Sequence, residues 1–337
     1  MIKIIGAGPA GTYLAALLAK HNDVELFDQK SVIGKPIQCT GIFSDEIKKY
    51  IYDDSFIVNK TKKVRVNNGI EFNSSNTIVD RTLFDQFLAN KAQDAGAKIN
   101  LNHKYISNDK NTVTLQNKNK LVTKDFTHLI GADGPFSNVE KNNFQNKNKF
   151  VIGHQIRTRI ESDPNIVDIY FNHGYFAWKV PESDKIARIA LITHDKSKEQ
   201  FDNFIKNFKH KIIEYQSGFI PVYQEKKIQN NNVYLIGDAA SQVKASTFGG
   251  IIPAFKSAHK LKGSITKNKT YTSKDFELNL HKKIYEKINK MDMKKRNELI
   301  KDLEKSKNII ENTNRDNVTK LSLKLLLNQP SLIRYLL

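Results

Sequence analysis

The glycine-patterned turn Gly6-Ala7-Gly8-Pro9-Ala10-Gly11 follows the apolar run Ile2, Ile4, Ile5 at the very start of the chain. An amphipathic stretch, Tyr13 to Lys20, comes next, and then a second apolar run, Val24-Glu25-Leu26-Phe27, tipped by Asp28. Strand, glycine turn, helix and strand in this order read as the opening βαβ unit of a parallel sheet. Gly6 permits the tight turn, Gly8 lets a pyrophosphate approach the backbone, and Gly11 lets helix and strand pack closely. The pyrophosphate of a dinucleotide then rests on the N–H groups that open the helix. Asp28 is placed to accept from a ribose hydroxyl.

Two later segments repeat the theme of a strand entering a Gly-Asp turn. One is Leu129-Ile130-Gly131-Ala132-Asp133-Gly134-Pro135-Phe136-Ser137; the other is Val233-Tyr234-Leu235-Ile236-Gly237-Asp238-Ala239-Ala240. Each alone is compatible with an ordinary capped turn. The segment after Asp238 reaches Phe248-Gly249-Gly250-Ile251-Ile252 and leads into a helix expected over Pro253 to Lys262. Gly249 and Gly250 carry no Cβ to block a ligand, and the following helix directs its positive end at them. Pro253 suits a first helical turn, where its missing N–H is not needed.

In order and spacing these three motifs resemble the fingerprints of FAD-binding flavoproteins related to p-hydroxybenzoate hydroxylase. Two further segments narrow the resemblance: Gly34-Lys35-Pro36-Ile37-Gln38-Cys39-Thr40-Gly41-Ile42, and Asp80-Arg81-Thr82-Leu83-Phe84-Asp85 before a helix. Together with Gln242-Val243-Lys244 and Gly249-Gly250-Ile251, they make residues 1 to about 260 resemble the geranylgeranyl reductase family, which includes the archaeal digeranylgeranylglycerophospholipid reductases. The resemblance implies an α/β fold in which an FAD-binding Rossmann-like domain, of the glutathione reductase and p-hydroxybenzoate hydroxylase type, interleaves with an antiparallel β-sheet substrate domain. A helical C-terminal region follows. The expected bounds are 1–50, 75–140 and 230–265 for the FAD domain, 51–74 and 141–229 for the substrate domain, and 266–337 for the helical region.

Implied cofactor-binding residues are Gly6, Gly8, Ala10, Gly11, Asp28, Cys39, Thr40, Gly41, Arg81, Asp238, Gly249, Gly250 and Ile251. Cys39 is placed near the flavin, either as a positioning or proton-relay residue or as a small buried hydrophobe. In the family an aromatic-x-Trp-x-Phe-Pro-Lys segment lines an isoprenoid channel. Phe176, Trp178, Val180 and Pro181 fall on that pattern, with Val in place of Phe and Glu182 in place of Lys. Aromatics alternating along a strand are equally compatible with plain core. The resemblance implies a reductase that saturates C=C bonds of prenyl chains in membrane-lipid precursors. A flavin monooxygenase or halogenase of the same fold, and a non-catalytic flavin-fold lipid-binding protein, stand as alternatives. No second glycine fingerprint for a nicotinamide dinucleotide is visible, so the electron donor is either ferredoxin-like or transiently bound NADPH.

Composition bounds the remaining classes. One cysteine excludes a disulfide framework and a multi-cysteine metal site and points to a reducing cytoplasm; the nine histidines show no metal-ligand spacing. No apolar run approaches the roughly 18 residues that cross a membrane, and the opening strand leaves no place for a signal peptide. The net charge is +19, but only eight of 54 basic residues are arginine and asparagine is abundant. That bias argues against nucleic acid as a partner. From Lys256 to Leu337 there are 20 Lys/Arg against 9 Asp/Glu, a net of 20 − 9 = +11. Phe276, Leu280, Ile284 and Ile288 recur at helical spacing there, and the chain closes on a Leu-rich stretch from Leu321. This region reads either as a solvated helical cap or as a peripheral contact with anionic lipid headgroups.

Overall fold

The computed structural model describes residues 1–67, 69–267 and 269–335. Its chain divides into two compact units that it enters in alternation. The first comprises Met1–Ile37, Thr82–Lys149 and Pro221–Leu278; the second comprises Gln38–Arg81, Phe150–Ile220 and Asn279–Leu337.

The first unit is built on a six-stranded sheet in the order Gln229–Asn230, Val233–Leu235, His128–Gly131, Ile2–Ile5, Val24–Phe27 and Lys98–Asn100. Every pair is parallel except the edge pair Gln229–Asn230 with Val233–Leu235. Ile2–Ile5 is buried at every position, its one polar residue, Lys3, being paired with Glu25 of the neighbouring strand at 3.1 Å. The helices Pro9–Leu18 and Ile251–Lys267 pack together, with Tyr13 stacked on Phe255 at 4.0 Å between ring centroids. A separate antiparallel sheet, His103–Asn108, Thr112–Asn117 and Lys120–Asp125, lies within what the sequence assigned to the nucleotide core.

The second unit is an eight-stranded sheet in the order Lys211–Pro221, Phe150–Arg159, Ile186–Thr193, Phe176–Pro181, Ile166–Tyr170, Ile57–Val66, Ile70–Val79 and Ile42–Phe43. Its pairings are antiparallel both within hairpins and between Phe150–Arg159 and Ile186–Thr193, but Ile166–Tyr170 runs parallel to Ile57–Val66. On one face Ile156, Ala177, Ile189 and Leu191 pack beneath Phe201, Phe204 and Ile205 of the helix Ser197–Ile205. On the other face Ile78, Val167 and Val180 form a core against which Ile42, Val64, Ile169 and Trp178 pack.

The unit boundaries differ from those expected. Residues 38–50 and 75–81 join the sheet unit because Ile42 and Phe43 pair with Ile78 and Thr77. From Asn279 onward the C-terminal region belongs to that unit too. Arg296, buried in the helix Met293–Lys305, donates to the carbonyls of Phe171, Gly174 and Tyr175 at 3.2, 3.0 and 3.1 Å. The helix Phe276–Lys290 forms as expected but with a different phase. Phe276 is 73% exposed, while Leu278, His281 and Tyr285 are buried. Tyr285 stands 5.0 Å from the Tyr175 ring, a contact that outweighs the aliphatic spacing read from the sequence.

Candidate functional site

In the first unit the glycine turn does three separate things. Gly6 has φ +107°, and a Cβ on it would fall 2.2 Å from the Ala132 carbonyl oxygen. A Cβ on Gly11 would lie 2.0 Å from the Gly6 carbonyl oxygen, so both positions require glycine for packing. Gly8 differs: nothing lies within 4 Å of where its Cβ would be. It is the N-cap of Pro9–Leu18 and offers no side-chain cap to the helix. An open backbone concavity at an uncapped helix start suits an anionic pyrophosphate. Asp28 holds this turn through its carboxylate, which accepts from Ala7 N–H and Lys30 N–H, each at 2.8 Å. Each oxygen keeps a lone pair for a further donor.

The Gly237-Asp238 turn closes the same cradle. Gly237 has φ +64°, and its absent Cβ leaves room for Ala10. Gln242 accepts from Gly237 N–H at 3.0 Å and donates to Tyr271 at 3.1 Å, and Tyr271 shares a 2.5 Å bond with Ser257. Burial pushes the Tyr271 hydroxyl up to about 12, so it remains a protonated partner in this network. A Cβ on Gly250 would stand 3.1 Å from Asp238 Oδ1, which puts the half-buried carboxylate beside the glycine pair. Gly249 is exposed at the end of a turn closed by Lys244 N–H to the Gly249 carbonyl, 3.2 Å, and Ile251 opens the long helix. The first and third motifs thus meet where Gly237 leaves room for Ala10.

The second Gly-Asp motif has another role. Asp133 accepts from Ser137 Oγ at 2.5 Å and from Asn138 N–H at 2.8 Å, bracing the start of the short helix Asn138–Asn143, whose N-cap Ser137 accepts from Glu140 N–H at 2.9 Å. Sequence reasoning missed Lys226, whose buried ammonium donates to Glu140 at 2.6 Å, Asn148 at 2.8 Å and the Ala239 carbonyl at 3.0 Å. Burial lowers its pKa, opposed by Glu140. In so Lys-rich a chain nothing in the sequence distinguishes this lysine, yet it fixes the backbone next to Asp238.

In the second unit the Cys39-Thr40-Gly41 loop is bound to the sheet through Thr40. Its hydroxyl donates to Gln155 Oε1 at 2.6 Å and accepts from the Trp178 indole N–H at 2.9 Å. Gln155 in turn donates to Gln216 at 2.5 Å. Arg188 donates to the carbonyls of Thr40 and Val79. Gly41, at φ +67°, has no room for a Cβ because the Val79 carbonyl oxygen would lie 2.8 Å away and Arg188 Nη1 3.0 Å away. Cys39 is half-buried, and its sulfur accepts from Gly41 N–H at 3.4 Å. Arg81 begins the helix Arg81–Asp94, with its stem 3.1 Å from that missing Gly41 Cβ.

Glu182 explains the charge reversal in the Trp-containing segment. It accepts from Arg157 through both oxygens, at 2.7 to 3.0 Å, and from Arg188 Nε at 2.7 Å. Burial pushes its carboxyl up, but the two guanidinium groups together outweigh that and hold it below the ordinary range. A lysine there would set a third cation against two arginines. Phe176 and Trp178 are half-buried neighbours, 5.2 Å between centroids, on one side of their strand. Val180 and Pro181 are buried core, and the Pro181 carbonyl accepts from Asn59 at 3.0 Å, so the accessible aromatic wall narrows to Phe176 and Trp178. Two cavities, of about 480 and 450 Å³, share Lys179 in their linings and include neither aromatic.

The chain is similar to several known proteins. A family profile described as an NAD(P)-binding Rossmann-like domain matches residues 4–47. The digeranylgeranylglycerophospholipid reductase of Methanosarcina acetivorans is 26% identical, over 85% of this chain and 79% of its own. A geranylgeranyl bacteriochlorophyll reductase-like structure from Thermoplasma acidophilum superposes with a TM-score of 0.78 at 20% identity, covering 99% of this chain and 98% of that one. The flavin-dependent brominase Bmp2, as a triple mutant, superposes with a TM-score of 0.66 at 14% identity over 84% of each chain. In fold the chain matches these two structures over most of its length, and in sequence it is similar to the digeranylgeranylglycerophospholipid reductase.

Proposed function

We propose that this chain is an FAD-dependent reductase that saturates carbon–carbon double bonds in prenyl chains of lipid precursors. The observation that carries the reading is the bond from the Trp178 indole N–H to Thr40. It consumes the only donor of the aromatic wall, so Phe176 and Trp178 present carbon alone. Such a surface suits a hydrocarbon chain and gives no hydrogen bond to a polar substrate.

Gly8, the start of Pro9–Leu18, Asp28 and Asp238 would hold the dinucleotide, with Gly249, Gly250 and Ile251 at the flavin end. When bound, the flavin supplies the hydride that an isolated double bond needs. The chain's residues have the remaining tasks. Trp178 and Phe176 orient the prenyl chain and exclude water. Cys39, on the loop held by Thr40, is the polar group assigned to position the substrate or relay the proton. Electrons come from a ferredoxin-like donor or NADPH.

The substrate is reached at an anionic membrane surface. On the helix Val318–Asn328, Lys320, Leu323, Lys324 and Leu327 share one exposed stripe, with Leu323 58% and Leu327 74% exposed. Among the described residues no helix is long and apolar enough to cross a membrane. Mass spectrometry of small molecules extracted from the purified protein tests the whole reading. FAD together with a prenyl lipid is the expected pair, and flavin accompanied only by polar aromatic ligands would overturn the substrate class.

A further inference from the structure

The chain contains one cysteine and one tryptophan, and a single residue links them. Thr40 follows Cys39 directly and is gripped at its hydroxyl and its carbonyl. Its buried hydroxyl stands between the Trp178 N–H and Gln155, donating one bond and accepting one. Its carbonyl is held by Arg188, which Glu182 neutralises at 2.7 Å. Rotation of the Trp178 ring away from its present plane breaks the bond to Thr40 and frees the hydroxyl to turn. Displacement of the Cys39 loop has the reverse effect on the indole. With the Arg188 grip on the carbonyl and the Gln155-Gln216 pair behind the hydroxyl, the loop has few ways to yield locally.

We propose that Thr40 is a positioning residue that couples the aromatic wall to the Cys39 loop, so that the state of Trp178 sets the accessibility of the Cys39 thiol. The coupling is a property of this chain's own hydrogen bonds. Only its ligand arm, in which a prenyl chain lying on Trp178 is felt at Cys39, rests on the function proposed above. Glu182 gains a purpose in the same scheme. By neutralising Arg188 it lets a buried guanidinium hold the loop carbonyl without an uncompensated charge.

The flavin-loaded protein carries its own reporters, since iodoacetamide reads Cys39 alone and indole emission reads Trp178 alone. Trp178→Phe keeps a ring but removes the N–H, and Thr40→Val removes the hydroxyl at nearly constant shape. Both are expected to change the Cys39 alkylation rate at least threefold. Thr40→Ser, which retains the hydroxyl, is expected to restore the parent rate and the parent emission maximum. Ile205→Ala loosens the packing on the opposite face of the sheet, away from Trp178 and Thr40, and is expected to leave the rate unchanged. An unchanged rate in Trp178→Phe, or an equal change in Ile205→Ala, overturns the coupling. Geranylgeraniol in detergent micelles supplies the ligand arm. If it leaves parent emission unmoved while Trp178→Phe changes alkylation, the coupling stands and the prenyl reading falls. If it shifts emission while Trp178→Phe leaves alkylation alone, the reverse holds.

Discussion

A Cβ built on Gly237 would lie 2.8 Å from the Cβ of Ala10, closer than two methyl groups can stand. The two glycine motifs they belong to, far apart in sequence, therefore form one surface. Gly237→Ala is expected to cost about 1–3 kcal/mol from overpacking, with added strain from the positive φ, and to loosen flavin binding. Ala10→Gly in the same chain removes the clashing methyl and is expected to return part of that loss. Thermal unfolding of the two single variants and the double variant gives the coupling.

Folding and cofactor binding separate at neighbouring glycines. Gly8→Ala meets no atom and leaves its backbone conformation ordinary, so its unfolding midpoint should stay near the parent's. Its methyl nevertheless projects into the open concavity, and flavin affinity should fall at least tenfold. Gly11→Ala strikes the Gly6 carbonyl and should destabilise the fold itself. Asp238→Ala should resemble Gly8→Ala, losing a charge-assisted bond of about 1.5–3 kcal/mol to the cofactor. Flavin fluorescence release, measured beside calorimetry, distinguishes the two behaviours.

The acid limb of stability should report Glu182. Its carboxyl titrates below its ordinary value of 4.5 because Arg157 and Arg188 outweigh burial. A carboxyl with a lowered folded pKa stabilises above its unfolded value and loses that contribution as pH falls through the folded one. Glu182→Gln leaves Arg188 buried without a counter-charge, for a loss of about 2–4 kcal/mol at pH 7 once the partial exposure of Arg157 is discounted. Below pH 4.5 the parent should lose stability more steeply than the variant. Urea unfolding of both proteins at pH 7 and pH 4 checks this.

The parts of the fold that sequence revealed were those where local pattern and tertiary role coincide. The run Ile2–Ile5, the three glycines after it and the acid at the end of the second strand each have one physical reason to be there. The cues failed where identity alone does not encode a role. Asp133 looks like the acid of a cofactor motif, but its oxygens brace Ser137 and Asn138 at a helix start. Lys226 is one lysine among many, and only its burial against Glu140 marks it. Val180 continues the aromatic pattern yet faces Ile78 and Val167 in the core. Glu182 stood out only as a departure from the family's Lys because its two arginine partners come from the strands Phe150–Arg159 and Ile186–Thr193, whose pairing sequence alone does not reveal.

The basic C-terminal surface gives a salt-dependent expectation. Lys320 and Lys324 flank exposed Leu323 and Leu327 on one helix, so anionic headgroups gain roughly 1 kcal/mol per close basic residue and the leucines add shallow insertion. Sedimentation with anionic liposomes should exceed that with neutral ones and weaken as salt is raised. Leu323→Ser combined with Leu327→Ser should reduce binding without releasing flavin. Equal, negligible sedimentation with both liposome types at low salt would leave the stripe an ordinary solvated face.

The central claim is reduction of a prenyl chain held against Trp178, and anaerobic single turnover measures it most directly. The protein is reduced with dithionite under nitrogen and mixed with a geranylgeranyl ether lipid in micelles, and flavin absorbance and lipid mass are followed together. Recovery of oxidised flavin absorbance should match, mole for mole, lipid that has gained two hydrogens, with Gly8→Ala showing neither change. Flavin that stays reduced until oxygen is admitted, with the lipid mass unaltered, would contradict the account.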